Sequence, residues 1–246
     1  MTRKLFLRDR FFRDAEAKRV LKTLQKLSQH DISAWALAGG LAVEIHCLRT
    51  DQDSSTRPLS DIDFVAAAFD CAPETLGEDF LFRHVHPLDP PGKTILQLVD
   101  EETALRIDLF RAYGRIMDRT LSLEFPFGPI QLISAEDVLA RTARLLLDLG
   151  AGVSVASKHA DDYLRLAKLT QTSDLEVAWQ DHRKPSHPLT FRKADSLVRD
   201  LIETHSNLLV TPEYSNDATQ ICTRCVPTNK FPLADPHLII SLLGYC

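Results

Sequence analysis

No stretch of about 18 consecutive apolar residues, the pattern that marks a membrane-spanning helix, occurs anywhere in this 246-residue chain. The opening Met1 to Arg10 carries too many charges for a secretory leader, so a cytoplasmic protein without membrane contact is expected. Cysteine is sparse as well: five residues, an odd number, do not read as the disulfide framework of a small secreted domain. An excess of positive charge is also missing. With 29 Lys and Arg against 34 Asp and Glu the formal net charge is -5, which weighs against a dedicated nucleic-acid surface while leaving room for a local basic patch. What remains, 44% apolar and 26% charged, is the ordinary composition of a soluble globular protein, long enough for one large domain or two small ones.

Between Asp14 and His30 the apolar residues Val20, Leu21, Leu24 and Leu27 recur at the spacing of one helical face, with Lys18, Arg19, Lys22 and Lys26 opposite as a solvated face. Ala34 to Ala38 suits a short buried strand, Gly39-Gly40 punctuates its end, and Leu41 to Leu48 resumes a helical pattern. Thr50 to Thr56 reads as an exposed loop, and Arg57-Pro58-Leu59-Ser60 leads from it into a strand that runs from Asp61 through Ala67. Cys71 to Gly92, rich in proline and acid, is expected to be a surface excursion; its His84 and His86 read as surface or hydrogen-bonded histidines before a metal pair. Thr94 to Val99 and Ala104 to Phe110 make a hairpin, with Asp108 projecting from a strand whose neighbours are largely apolar.

The chemistry is concentrated at Ser60-Asp61-Ile62-Asp63-Phe64-Val65. Side chains alternate faces along a strand, so Asp61 and Asp63 point one way and Ile62 and Phe64 the other. Two carboxylates in one small volume raise each other's pKa, and a divalent metal relieves the repulsion. Magnesium is held in this manner, by one or two carboxylates together with substrate phosphates, so phosphoryl-transfer chemistry is the first expectation. Glycines at a strand-to-helix junction let the backbone approach a phosphate, and the first helical turn offers unpaired N–H groups. A metal-dependent glycosyltransferase also uses Asp-x-Asp, and an inactive nucleotide-binding or interaction module is the alternative from outside enzymes. Asp51 to Asp53 and Asp100 to Glu102 read as solvated loops.

Taken in order, Ala38-Gly39-Gly40, the helix from Leu41, Asp61-Ile62-Asp63-Phe64 and Asp108 resemble the signature of the nucleotidyltransferase superfamily, with its DNA polymerase beta-like fold. Gly39-Gly40-Leu41-Ala42 and Arg57-Pro58-Leu59-Ser60 are similar to the AbiEii-type, minimal branch, with serine in place of threonine. Ser134-Ala135-Glu136-Asp137 resembles a helix start of the same branch and makes a capping box. Lys158 to Leu164 resembles its later lysine- and aspartate-bearing helix. The chain departs at Thr142, where the family usually has lysine, although Arg141 and Arg144 lie nearby, and in the long interval between Gly40 and Asp61.

The resemblance implies an α+β nucleotidyltransferase fold, a small mixed β-sheet flanked by helices, with a helical C-terminal lobe. It implies transfer of a nucleoside monophosphate from a nucleoside triphosphate, ATP among them, to an acceptor hydroxyl on RNA, protein or a small molecule, with one or two magnesium ions. Asp61, Asp63 and Asp108 would be catalytic and metal-binding; Gly39, Gly40 and Ser60 would hold phosphates, and Arg57 and Lys158 would neutralise their charge. A toxin role with an antitoxin partner belongs to the same implication.

Ser134 to Leu149, Ala156 to Leu169, Asp174 to Gln180 and Phe191 to His205 read as helices. The expected division is a core over 1–130, a helical lobe over 131–205 and a tail over 206–246. In the tail Cys222 and Cys225 form a C-x-x-C, and with His237 and Cys246 they could supply four zinc ligands, although no second C-x-x-C is present.

Overall fold

The computed structural model describes residues 15–50, 59, 61–68, 71–85, 94–170 and 172–211. A first helix, α1 (Ala15–Leu27), buries Val20, Leu24 and Leu27 on one face, as their spacing predicts. The chain then enters β1 (Trp35–Ala38), passes directly into α2 (Gly39–Thr50), and continues in β2 (Asp61–Ala66). All four residues of β1 are buried, because it lies between two other strands with both faces covered; this is why Trp-Ala-Leu-Ala lacks the alternation of a half-exposed strand.

The remaining strands are β3 (Leu81–Val85), β4 (Thr94–Asp100), β5 (Leu105–Arg111), β6 (Leu121–Phe125) and β7 (Gly128–Leu132). Together they form a mixed sheet in the order β3-β4-β5-β2-β1-β7-β6. β2 pairs in parallel with β5 and β1 in parallel with β7, while the other neighbours are antiparallel. Parallel pairs need crossover connections. Here the crossover from β2 to β5 runs through β3 and β4, so acids distant in sequence become strand neighbours.

One expectation is corrected. The stretch read as a surface excursion contains the edge strand β3, preceded by a 3₁₀ turn at Glu74–Glu78, and it buries Leu76, Phe80 and Phe82. Three apolar anchors are enough to seat it against β4, despite the surrounding prolines and acids. His84 lies in β3, and His86 falls outside the described residues. The β6–β7 hairpin was not anticipated, since Pro126 sits in its turn and Pro129 in β7 itself; Pro129 pairs with Glu124 of β6 and precedes Gln131 and Leu132, the residues through which β7 pairs with β1.

From there the chain is helical: α3 (Ala135–Leu146), a short β8 (Val155–Ala156), α4 (Ser157–Leu166), α5 (Thr172–His182), α6 (Phe191–Thr204) and β9 (Leu209–Val210), which pairs with β8. The expected boundary at 130/131 falls inside β7. α3 packs against α2, α4, α5 and α6 and is the pillar of this half. After Leu146 it tightens into a 3₁₀ turn, Leu147–Ala151, and ends at Gly152 with φ +75°.

α1 is also fastened to the far end of the β4–β5 hairpin. Thr23 Oγ1 donates to Asp100 Oδ2 at 2.8 Å, Lys26 Nζ to Asp100 Oδ1 at 2.7 Å, and Arg19 Nε to the Thr103 carbonyl at 2.9 Å. Asp100 is fully buried, so it needs these donors; with Glu102 accepting from Lys22, the loop expected to be solvated is in part a structural clamp, a second correction.

Candidate active site

The site is built where β1, β2 and β5 lie side by side. Ile62 and Phe64 are fully buried beneath the sheet, which turns Asp61 and Asp63 to its other face. In the parallel register Asp63 pairs with Asp108 and Asp61 with Arg106. One carboxylate oxygen from each of Asp61, Asp63 and Asp108 lies within 4.8 Å of the others.

β1 delivers Gly39 to the same point with φ +57°. A Cβ built there would fall 1.7 Å from Asp63 Oδ2 and 2.7 Å from Asp63 Cβ. Glycine is thus required twice, for its backbone angle and for the closeness of the carboxylate. The close approach seen here is to Asp63, an acid of the site.

The electrostatics follow from this crowding. Asp63 is pushed up to about 7, first by desolvation and then by the charges of Asp61 and Asp108; Arg141 and Lys158 act the other way. Burial also raises Asp108, against Arg106 and a hydrogen bond from Gln97. Gln97 Nε2, on β4, donates to Asp108 Oδ1 at 2.7 Å and so fixes one oxygen of that carboxylate. Arg106 Nη2 donates to Asp61 Oδ2 at 2.5 Å, and its Nε stands 3.1 Å from Asp108 Oδ2.

A cleft opens above the acids. Its floor is Gly39, Gly40, Asp61, Asp63, Arg106 and Asp108; α3 contributes Val138, Arg141, Thr142 and Leu145, and α4 contributes Lys158, His159 and Asp162. Two cations on separate helices thus face a cluster of acids, beside an apolar wall completed by Val43, Phe110 and Ile133. Such a cleft suits a ligand with an anionic end, held through a cation at the acids.

Both helices are firmly set. Ser134 Oγ accepts from the Asp137 backbone N–H at 3.0 Å and donates to Asp137 Oδ2 at 2.7 Å, the cap anticipated for α3. Asp137 is buried, which pushes its pKa up, but hydrogen bonds from Arg119, His182 and Ser134 carry it below the usual range. In turn α4 is tied to α2 by Arg165, whose Nη1 and Nη2 donate to Glu44 at 2.8 and 3.0 Å. Lys158, Asp162 and Arg165 follow one another at helical spacing, so this fork sets the rotation that turns Lys158 to the cleft.

Of the residues singled out in the sequence, Gly39, Gly40, Asp61, Asp63, Asp108 and Lys158 come together in this cleft. Arg57, Ser60 and the zinc candidates Cys222, Cys225, His237 and Cys246 lie outside the described residues. Thr142 stands in the cleft wall with its hydroxyl bonded back to the Val138 carbonyl at 2.8 Å, and the cation of that turn is Arg141, stacked 5.2 Å over the Phe110 ring. Sequence reasoning missed Arg106 and Gln97. Both owe their place to strand register, and only the alternation that puts Arg106 on the Asp108 face could have signalled the first.

No protein-family profile and no curated protein matches the chain at a significant level. Among solved structures it is similar to the antibiotic-resistance factor ANT(2'')-Ia in solution, with 13% identity and a TM-score of 0.45 over 74% of this chain and 94% of that one. An antigenic nucleotidyltransferase-like protein from Paracoccidioides brasiliensis gives 15% identity and a TM-score of 0.39, covering 79% of this chain and 92% of that one. The Megavirus polyadenylate synthase gives 16% identity and a TM-score of 0.40, covering 68% of this chain and 40% of that one. Among the described residues, no helix is long and apolar enough to cross a membrane.

Proposed function

We propose that the chain is a metal-dependent nucleotidyltransferase that moves a nucleoside monophosphate from a nucleoside triphosphate to an acceptor hydroxyl. The observation that carries this reading is the convergence of Asp61, Asp63 and Asp108 within 4.8 Å, on two neighbouring strands, against a glycine that no other residue could replace without displacing Asp63.

The donor set fits a hard divalent cation: carboxylate oxygens only, three of them, with Asp63 pushed up to about 7 by burial and then by the charges of Asp61 and Asp108. Asp61 and Asp63 would hold one magnesium ion, and Asp108 would share a second. When bound, such ions offset the charge of the triphosphate and lower the pKa of an acceptor hydroxyl. The chain's own residues account for the rest. Arg141 and Lys158, facing Asp63 from α3 and α4, bind the anionic phosphates and orient the α-phosphorus for in-line attack. In place of its ligand role, Asp108 Oδ2, the oxygen not bonded to Gln97 and 3.1 Å from Arg106 Nε, would take the acceptor's proton. The acceptor oxygen then bonds to the α-phosphorus as the bond to the departing pyrophosphate breaks. The apolar wall of Val43, Ile133 and Leu145 excludes water from that transfer.

The helical segment from α3 onward acts as the lobe that closes the cleft. The AbiEii-type likeness of Gly39-Gly40-Leu41-Ala42 adds a further element of the proposal, a cytoplasmic toxin restrained by a partner chain. The test is incubation of the purified protein with each of the four radiolabelled nucleoside triphosphates, magnesium and a cell extract separated into RNA, protein and small-molecule fractions. Label entering one fraction, absent with Asp61→Ala/Asp63→Ala, is the expected result and names the acceptor class. Label in none, with no magnesium-dependent nucleotide binding, would refute the assignment.

A further inference from the structure

Arg106 is held differently from the other arginines that meet buried carboxylates here. Arg119 grips Asp137 through Nε at 2.9 Å and Nη2 at 2.7 Å, and Arg165 grips Glu44 at 2.8 and 3.0 Å. Each makes a two-bond fork on one carboxylate, the geometry that fixes one element to another, and Arg119 Nη2 also donates to Asp181 at 2.8 Å. Arg106 makes no fork. Its Nη2 donates to Asp61, while its buried Nε, 3.1 Å from Asp108 Oδ2, makes no hydrogen bond. Its side chain is 39% exposed, against 19% for Arg119 and 28% for Arg165, so solvent reaches it from the cleft.

The guanidinium therefore bridges two of the three carboxylates that converge in the cleft, with its buried Nε–H making no hydrogen bond. A single positive charge in that place relieves the repulsion among the acids without satisfying them. A divalent ion brings twice the charge and takes carboxylate oxygens directly as ligands. We propose that Arg106 is an exchangeable counter-ion of the site: it holds Asp61 and Asp108 together in the metal-free protein and releases Asp61 as a divalent ion enters. Ion binding and movement of the guanidinium then form one coupled step. The inference rests on the metal-ligand reading of the three aspartates and gives Arg106 a positioning role, exerted through the carboxylates. It also fixes a sign, since an arginine that competes with the ion weakens its binding, whereas an arginine that merely arranges the acids would strengthen it.

Calorimetric titration of magnesium into the wild type, Arg106→Gln and Arg106→Lys, each also melted without metal, separates the two. Arg106→Gln is expected to bind magnesium about threefold to thirtyfold tighter, the range of one or two partly exposed ion pairs, and to melt lower when metal-free. Arg106→Lys, which keeps the charge, should stay near the wild type. Equal or weaker binding by folded Arg106→Gln would overturn the proposal. Should that variant fail to fold, the wild type supplies the answer: the Arg106 Nε–H resonance, assigned from Arg106→Lys, must shift with magnesium at the midpoint of the calorimetric curve, and a resonance unmoved at saturation would also overturn it. A wild type that binds no magnesium would instead remove the metal reading beneath it, so the two failures are distinct.

Discussion

Replacing Gly39 by alanine tests the construction of the site most directly. The position has φ +57°, and forcing an L-residue into the left-handed region costs about 1–2 kcal/mol. The added methyl would also meet Asp63 Oδ2 at 1.7 Å, Cγ at 2.5 Å and Cβ at 2.7 Å. A new rotamer of Asp63 relieves the first two overlaps but not the third, because that Cβ is fixed to β2. Strand and helix must therefore part, an overpacking strain of about 1–3 kcal/mol. The expected loss is about 2–5 kcal/mol, with magnesium binding abolished because Asp63 is displaced. Gly152→Ala is the control: φ is +75° but nothing lies within 4 Å of the added methyl, so only the conformational share should be lost, with magnesium binding intact. Urea denaturation and magnesium calorimetry on the two variants decide the matter. If Gly39→Ala were no less stable than Gly152→Ala and bound magnesium like the wild type, the reasoning would be refuted.

Other perturbations have equally definite outcomes. Asp63 rises from 3.8 to about 7 on folding, so below about pH 4 both states carry its proton, and between about 4 and 7 the folded state keeps a proton that the unfolded chain has released. Stability of the metal-free protein should fall as pH rises through that window; a rise traced to Asp63 by comparison with Asp63→Asn would contradict this. Apparent magnesium affinity should drop about tenfold per pH unit below 7, because the ion must displace that proton, as titrations in buffers of different ionisation enthalpy would register. Arg165→Ala removes a two-bond fork from Glu44, whose side chain is fully buried, and should cost about 1.5–3 kcal/mol in denaturant titrations, more than Lys22→Ala at an exposed pair. Arg141→Ala should weaken nucleotide binding about tenfold to a hundredfold, the worth of a charge-assisted bond to phosphate, with little effect on the melting temperature; unchanged affinity would exclude Arg141 from the phosphate site.

Local signals carried much of this structure. The helical face of α1, the strand-glycine-helix unit at Gly39, the alternation at Asp61 and Asp63, the hairpin bearing Asp108 and the cap at Ser134 all depend on residues within a few positions of one another, and all are present. What escaped depends on pairing across long separations. β3 is a strand because β4 offers it an edge, and Gln97 and Arg106 belong to the site because β4, β5 and β2 align in one register. The turn at Asp100 reads as solvent-facing in one dimension, because Thr23 and Lys26, which cover it, come from the other end of the core.

That turn bears on the chemistry at a distance. Side chains repeat their facing every two residues, so a slip of β5 by two along β2 would leave the apolar layer as well packed as before. It would also set Arg106 against Asp63 and move Asp108 beside Val65. Hydrophobicity is blind to that error. The lock against it is the hairpin, held at its turn by α1 through Asp100 and at its exit by the Ala112 N–H bonded to the Ala66 carbonyl at 2.8 Å. Asp100 thus acts as an index mark for the three acids, keeping their alignment from outside the cleft that they line.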